Sequence, residues 1–233
     1  MPQLEELFQV DDGKKKIVTE NHTLFISEDN VEMKIDLGEE YGEVLGTTSV
    51  TVQGQSYNLY ELYIGPIDSD VNEIAPLLNE LRQADGKDEL IVYISSPGGS
   101  LYEGFRFINI FEIAFGGRTT TVLDVAGASM AAMMFCAGDT RVMPENGYLM
   151  FHNWSGGIVG KAKDIKANFQ FFDERLDKMA YDVLSEFFSD DEIEDIRTVD
   201  YYLDAEEAAL RGLATHIIVK GEYVPAEEYL EGR

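Results

Sequence analysis

The chain has 233 residues, 45% of them hydrophobic, enough for one large domain with a real core. Forty-four acidic residues against eighteen basic ones give a formal charge of −26, which argues against nucleic acid or an anionic membrane as partner. One cysteine excludes an internal disulfide and fits a reducing compartment; no apolar window of about 18 residues and no signal-peptide pattern occurs, so a cytoplasmic location is expected.

In chain order, residues 1–57 carry short alternating runs at Thr23–Ile26, Val31–Leu37 and Thr48–Val52. Between them lie polar or glycine-bearing breaks, so the region reads as a β-rich extension of hairpins or an edge sheet. Lys14-Lys15-Lys16 is its basic cluster, an ordinary solvated turn. From Leu59 the character changes. Leu59–Ile64 is a strand, and apolar residues at Val71, Ile74, Leu77, Leu78 and Leu81 predict a helix within Asp68–Ala84. Pro76 lies inside it, so a helix beginning near Ala75 and one kinked there are equally admissible. Leu90–Ile94 is a continuous apolar strand of the kind buried on both faces of a parallel sheet. It runs into Ser95-Ser96-Pro97-Gly98-Gly99-Ser100, and a helical period follows over Leu101–Phe115. This alternation is that of parallel βαβ architecture. The two glycines leave backbone N–H groups open to an anion, without the spacing of a dinucleotide or P-loop fingerprint.

Thr119–Leu123 is a β-branched run. Gly127 is placed for a sharp turn, a small-residue helix starts at Ala128, and Gly138 offers it a left-handed cap. Ser129 then stands at the helix start, either as a capping residue or as a nucleophile beside free N–H groups and the positive end of the helix dipole. Thr140–Val142 and Tyr148–Phe151 are strands about the turn Pro144–Gly147. Of the three histidines, His152 sits at a strand end before a glycine-bearing loop, His22 in the N-terminal region and His216 in the apolar run Ala214–Val219. They form no metal constellation. Ile165–Phe188 is the longest predicted helix. Its stripe Ile165, Phe169, Phe172, Leu176, Met179, Val183 and Phe187 suits either core packing or a subunit interface. A short acidic helix over Ser189–Thr198 follows, then one capped near Asp204 and closed by Gly212. The segment from Gly221 reads as an acidic, peripheral tail.

Several motifs in this order resemble the proteolytic subunit of the Clp protease. They are Tyr93-Ile94-Ser95-Ser96-Pro97-Gly98-Gly99-Ser100, Gly127-Ala128-Ser129-Met130-Ala131, Cys136-Ala137-Gly138-Asp139-Thr140-Arg141 and His152. Gly156-Gly157 followed by Gly160–Ile165, and Asp204–Ala208 with Gly212-Leu213, also match. The similarity runs from about residue 59 to residue 219. It implies an α/β, ClpP/crotonase-like fold of repeated ββα units with a protruding strand-helix handle. The domains would be an N-terminal β-rich extension (1–57), a serine peptidase domain (58–220) and an acidic tail (221–233).

The resemblance further implies a Ser129–His152–Asp200 triad with the backbone N–H groups of Gly99 and Met130 as oxyanion hole. It implies stacked heptameric rings around a closed chamber, an AAA+ unfoldase that feeds in unfolded proteins and uses the ATP, and no cofactor or metal in this chain. Some features depart from the common pattern. Ile91 stands where an aromatic is usual on the unfoldase-docking strand, and Phe151-His152-Asn153-Trp154 replaces a His-Gln-Pro type of sequence. The His-Asn pair is similar to the Clp-like capsid (prohead) maturation proteases of tailed bacteriophages. Two other readings share the expected fold: a crotonase-like acyl-CoA enzyme and a non-catalytic assembly subunit. The acids Glu5, Glu6, Asp11, Asp12, Glu28, Asp29, Glu39 and Glu40 of the extension are expected to form a polar collar at the ring axis.

Overall fold

The computed structural model describes residues 8–11, 14–18, 23–26, 31–36, 45–52, 55–67, 71–156 and 161–232. Three short strands, β1 (Phe8–Asp11), β2 (Lys14–Val18) and β3 (Thr23–Ile26), form an antiparallel sheet of their own. Then β4 (Val31–Asp36), β5 (Leu45–Val52) and β6 (Gln55–Ile64) form an antiparallel meander. β6 belongs equally to the main parallel sheet, so the extension is continuous with the larger body through this strand. Apart from Asp11, at the end of β1, the acids of the expected collar lie outside the described residues.

The body follows by alternation: α1 (Val71–Leu81), β7 (Glu89–Ser96), α2 (Leu101–Phe115), β8 (Thr119–Ala128), α3 (Met130–Cys136), β9 (Thr140–Pro144) and β10 (Tyr148–Phe151). The remainder is α4 (Ala162–Leu184), α5 (Asp190–Thr198), β11 (Tyr201–Asp204), α6 (Ala205–Leu210), β12 (His216–Val219), β13 (Glu222–Pro225) and α7 (Ala226–Glu231). β6, β7, β8, β9 and β12 pair in parallel, with the antiparallel pairs β5–β6 and β12–β13 flanking them. β8 is the branch point. Its first half pairs with β9, whereas Ala126–Ala128 pair with β10, which carries β11 on its other side. The fold is the α/β architecture expected from the motifs.

Helix α1 runs through Pro76 from Val71. The proline stands at the middle of this eleven-residue helix, where its missing N–H removes a single backbone bond. Leu62, Leu90, Val92, Ile94 and Leu123 from the central strands are fully enclosed, as are Phe115 and every side chain from Met130 to Met134 but Met133, which is nearly so. A side chain such as Leu or Phe buried in this way stabilises by about 1.5–3 kcal/mol.

Two expectations about glycines are corrected. Gly127 makes no turn; it continues β8, and a Cβ there would lie 3.0 Å from Leu123 Cδ1 and 3.2 Å from Leu149 Cδ2. Gly138 is no left-handed cap. Helix α3 ends on Ala137 in right-handed geometry, and Gly138 is small because a Cβ would fall 2.5 Å from Thr121 Oγ1. Thr121 Oγ1 is itself committed to the Phe135 carbonyl at 2.8 Å. Gly212, by contrast, has φ 68° and closes α6 as expected. The segment after Gly221 is not peripheral. β13 adds an edge to the sheet, and α7 buries Tyr229 against the core.

Arg141 ties the late elements together. Its Nε donates to the Leu213 carbonyl at 2.7 Å, Nη1 to Gly138 at 2.6 Å and Nη2 to Gly212 at 3.1 Å, while the guanidinium lies 5.0 Å from the Phe187 ring centre. Three carbonyls therefore depend on one planar donor fork. Arg141→Ala is expected to cost roughly 3 kcal/mol. That corresponds to a fall of about 6–12 °C in the thermal midpoint. Calorimetry checks it, and a shift below about 2 °C would show that water replaces the fork without loss.

Candidate active site

Ser129 is the hinge between β8 and α3. Its backbone has φ 57° and ψ −125°, a conformation rare outside glycine, and its side chain makes no capping hydrogen bond. The capping role considered for it is therefore not the one it plays. Its N–H donates to the Met150 carbonyl at 2.7 Å, and its carbonyl accepts from the N–H groups of Ala132 and Met133. The backbone is thus held from both sides while the hydroxyl stays outside the helix. Such a geometry exposes a side chain at a sharp strand-to-helix turn.

The loop after β7 lies directly against this turn. A Cβ on Gly98 would stand 2.6 Å from the Ala128 carbonyl oxygen, 2.8 Å from Ser129 Cβ and 3.0 Å from the Met130 nitrogen. Both glycines take left-handed conformations, φ 91° at Gly98 and 144° at Gly99. Ile67 fixes the loop from the other side, its N–H donating to the Gly98 carbonyl and its carbonyl accepting from the Ser100 N–H, each at 2.9 Å. Among the described residues, the N–H groups of Gly99 and of Met130, the first residue of α3, donate to no protein acceptor. Both border the space before Ser129, which is also the N-terminus of a buried helix.

His152 and Asp200 arrive through strand register. In the parallel pair β8–β10, Ala128 stands opposite Met150, so the residues just beyond are Ser129 and, two places on, His152. In the antiparallel pair β10–β11, Phe151 stands opposite Tyr201; the next residues out, His152 and Asp200, leave the ladder side by side. Ser129 and His152 are half-buried and Asp200 is exposed. Gly99, Ser129, Met130 and His152 border one cavity of about 100 Å³, and Asp200 lies outside its lining. Of the hydrogen bonds among the described residues, none joins these three side chains.

The cavity also has walls that the sequence motifs do not mark. Met133, Leu176, Ala180, Leu184, Ile193 and Ile196 make it apolar inward of Ser129. Two charged residues also line it, Arg197 of α5 and Asp177 of α4, and these are paired with each other. Trp154, two residues past His152, donates its indole N–H to Asp173 Oδ1 at 3.1 Å and packs on Phe169 at 5.7 Å. The loop after His152 is therefore fastened to α4. Trp154 closes the Phe151–Trp154 sequence that stands out beside the histidine, whereas Asp177 and Arg197 belong to periods with no local signal.

The stripe along α4 divides. Leu176 is buried and Met179 and Val183 pack on the core, whereas Phe169 is 50% exposed, and Phe171, off the stripe, is 63% exposed. The first half of the helix projects, and its Phe172 meets Tyr102, itself 58% exposed. The predicted single helix to Phe188 ends at Leu184, since Ser185–Phe188 turn before Ser189 caps α5. Of the matched glycines after His152, Gly157 and Gly160 lie outside the described residues.

Burial pushes the Cys136 thiol up to about 12, so at neutral pH it is a neutral core side chain and no rival nucleophile. His216 lies in β12, with its imidazole pKa lowered by burial and its Nδ1 3.0 Å from Thr215 Oγ1. Among the described residues no group of His, Cys, Asp or Glu side chains is arranged to hold a metal ion, and no helix is long and apolar enough to cross a membrane.

A strained serine facing two open N–H groups, with an imidazole at the neighbouring strand end, is suited to acyl transfer through a covalent ester. The family profile described as Clp protease matches residues 60–221. The chain belongs to the Clp protease family, and its role is that of a serine protease. A relative from Frankia casuarinae, ATP-dependent Clp protease proteolytic subunit 1, is 29% identical over 71% of this chain and 80% of its own length. ATP-dependent Clp protease proteolytic subunit 2 of a Synechococcus species is 30% identical over 64% of this chain and 77% of its own.

Proposed function

We propose that the chain is a self-compartmentalised serine endopeptidase that cleaves unfolded polypeptides through Ser129, His152 and Asp200. The convergence of Ser129, His152 and the N–H groups of Gly99 and Met130 on one cavity supports this reading most. In the first step His152 takes the hydroxyl proton as Ser129 Oγ attacks the peptide carbonyl. The carbonyl oxygen becomes an oxyanion that accepts from the Gly99 and Met130 N–H groups. His152 then gives its proton to the departing amine, leaving an ester on Ser129. Water enters by the same route in reverse and releases the acid. Asp200 holds the imidazole tautomer and offsets the positive charge that His152 carries between steps. No cofactor or metal is required in this chain. An AAA+ unfoldase in the cytoplasm would use ATP and deliver the substrate.

The reading is tested by a fluorophosphonate, which phosphonylates an activated serine. Labelling of wild-type particles at Ser129 and none of His152→Ala supports it; absence of labelling in intact rings favours a silent assembly subunit. The projecting half of α4 supports the ring assembly, because exposed Phe169 and Phe171 are the kind of surface that association covers. Phe172→Asp should accordingly give smaller particles with little peptidase activity and an unchanged far-ultraviolet spectrum. A wild-type sedimentation coefficient for that variant would exclude this face from the interface.

A further inference from the structure

The strand pair that brings His152 to Asp200 has only four residue pairs, and Asp200 stands at its open end after an exposed Val199. Something must hold the start of β11 in register, because a slip of one residue would turn Asp200 to the other face. The residues doing so are identifiable. Phe151, next to His152, and Tyr201, next to Asp200, pack against the same ring, Phe188, at 5.2 Å and 5.8 Å between ring centres. Arg211, just past the end of α6, closes this aromatic clamp. Its guanidinium lies 5.3 Å from the Phe188 ring centre and 5.8 Å from that of Tyr201, and its Nη2 donates to the Tyr201 hydroxyl at 2.9 Å. Arg211 Nη1 is paired with Glu192 Oε1 at 2.6 Å, and the Tyr201 hydroxyl donates to the same carboxylate at 3.4 Å.

Glu192 is itself fixed, accepting from the Ser189 N–H and hydroxyl in the capping box of α5. Arg211 is fixed by its own N–H on the Glu207 carbonyl, while the Glu207 carboxylate faces Asp204 in a second capping box. The two helices flanking β11 thus grip the one residue that follows Asp200.

We propose that Arg211 is a positioning residue for catalysis, holding Tyr201, and through it Asp200, at the register where the carboxylate faces His152. The proposal rests on Asp200 being the acid of the triad. Arg211 touches neither substrate nor reacting atoms. The Ser189 bonds and Arg211 hold the Glu192 carboxyl down at about 2, so the pair stays ionised across the working range and the grip is constant rather than switched.

The experiment measures kcat and KM for a short fluorogenic peptide with the assembled full chain. Arg211→Ala is expected to lower kcat up to about a hundredfold, since small misplacements of a catalytic group cost that much. KM should stay within about twofold, because Arg211 does not itself line the binding cavity. Arg211→Lys restores part of the rate, and Tyr201→Phe, which keeps the ring and removes the hydroxyl, falls between. A wild-type kcat, a reduced kcat with KM altered as much, or a kcat that Arg211→Lys leaves as low as Arg211→Ala does, overturns the proposal. If Arg211→Ala does not assemble, Tyr201→Phe and Glu192→Gln decide, and a wild-type kcat in both overturns it. Asp200→Asn is measured alongside. If it keeps the wild-type rate, the acid assignment falls and the positioning role falls with it. If it is inactive while Arg211→Ala is normal, the positioning role alone falls.

Discussion

Ser129→Ala is expected to lower peptide hydrolysis by about four powers of ten or more while leaving folding and assembly unchanged. The magnitude follows from the nucleophile's place in a cooperating set, where losing one member removes most of what the set achieves. The absence of any effect on the fold follows from the local geometry. The hydroxyl caps nothing, and alanine carries the same Cβ into the same backbone conformation. The N–H to Met150 and the carbonyl bonds into α3 are backbone bonds and survive. Activity is read with a fluorogenic peptide, and stability and particle size on the same preparation. Residual activity within about tenfold of wild type would remove Ser129 from the nucleophile's role, since the water-only background left by such a set is far lower.

Gly99→Ala should also be strongly damaging, for a different reason. Its Cβ would be placed 2.1 Å from the Ile67 carbonyl oxygen, and at φ 144° the backbone disfavours any side chain. The Ile67 carbonyl is held by Ser100 and its N–H is engaged with Gly98, so it does not give way cheaply. The Pro97–Ser100 loop must move instead, and the Gly99 N–H moves with it. Loss of one such donor costs about a hundredfold to a thousandfold in kcat. Because Gly98 presses on Ser129 and Met130, the displacement also disturbs the second donor. The expected result is a kcat reduced by at least about a hundredfold with KM little changed. A loss smaller than threefold would show that the oxyanion is stabilised elsewhere.

What could be read from the chain depended on the range of the interaction involved. Helix α2 was legible to its ends, Leu101 and Phe115, because its apolar period is local and Ser100 caps it through the Glu103 N–H. Strand β10 and the capped starts of α5 and α6 were legible for the same reason. The roles of Gly127 and Gly138 were misjudged because a glycine has two uses. It permits an unusual φ, which sequence context suggests, or it admits a neighbour such as Leu149 or Thr121, which only the packed chain reveals. The end of the longest helix was overrun because the apolar period continues through Phe187 after the backbone has turned. The candidate site was half legible. Ser129, His152 and the Gly98–Gly99 loop stand in motifs, whereas Leu176, Asp177, Ile193 and Arg197 reach the cavity from helices whose sequences show only an amphipathic face. The Arg211 clamp was not legible at all, since it joins Phe151, Phe188, Glu192 and Tyr201 across three elements and two turns.

The left-handed backbone at Ser129 carries an evolutionary consequence. A non-glycine residue in such a conformation costs on the order of 1–3 kcal/mol. Glycine would relieve much of that cost without disturbing the bonds to Met150, Ala132 and Met133, which involve the main chain alone. Selection for heat resistance by itself would therefore push this position away from serine. A lineage released from the need to hydrolyse peptides would lose its chemistry before its shape, and would leave subunits that still take their places beside active copies.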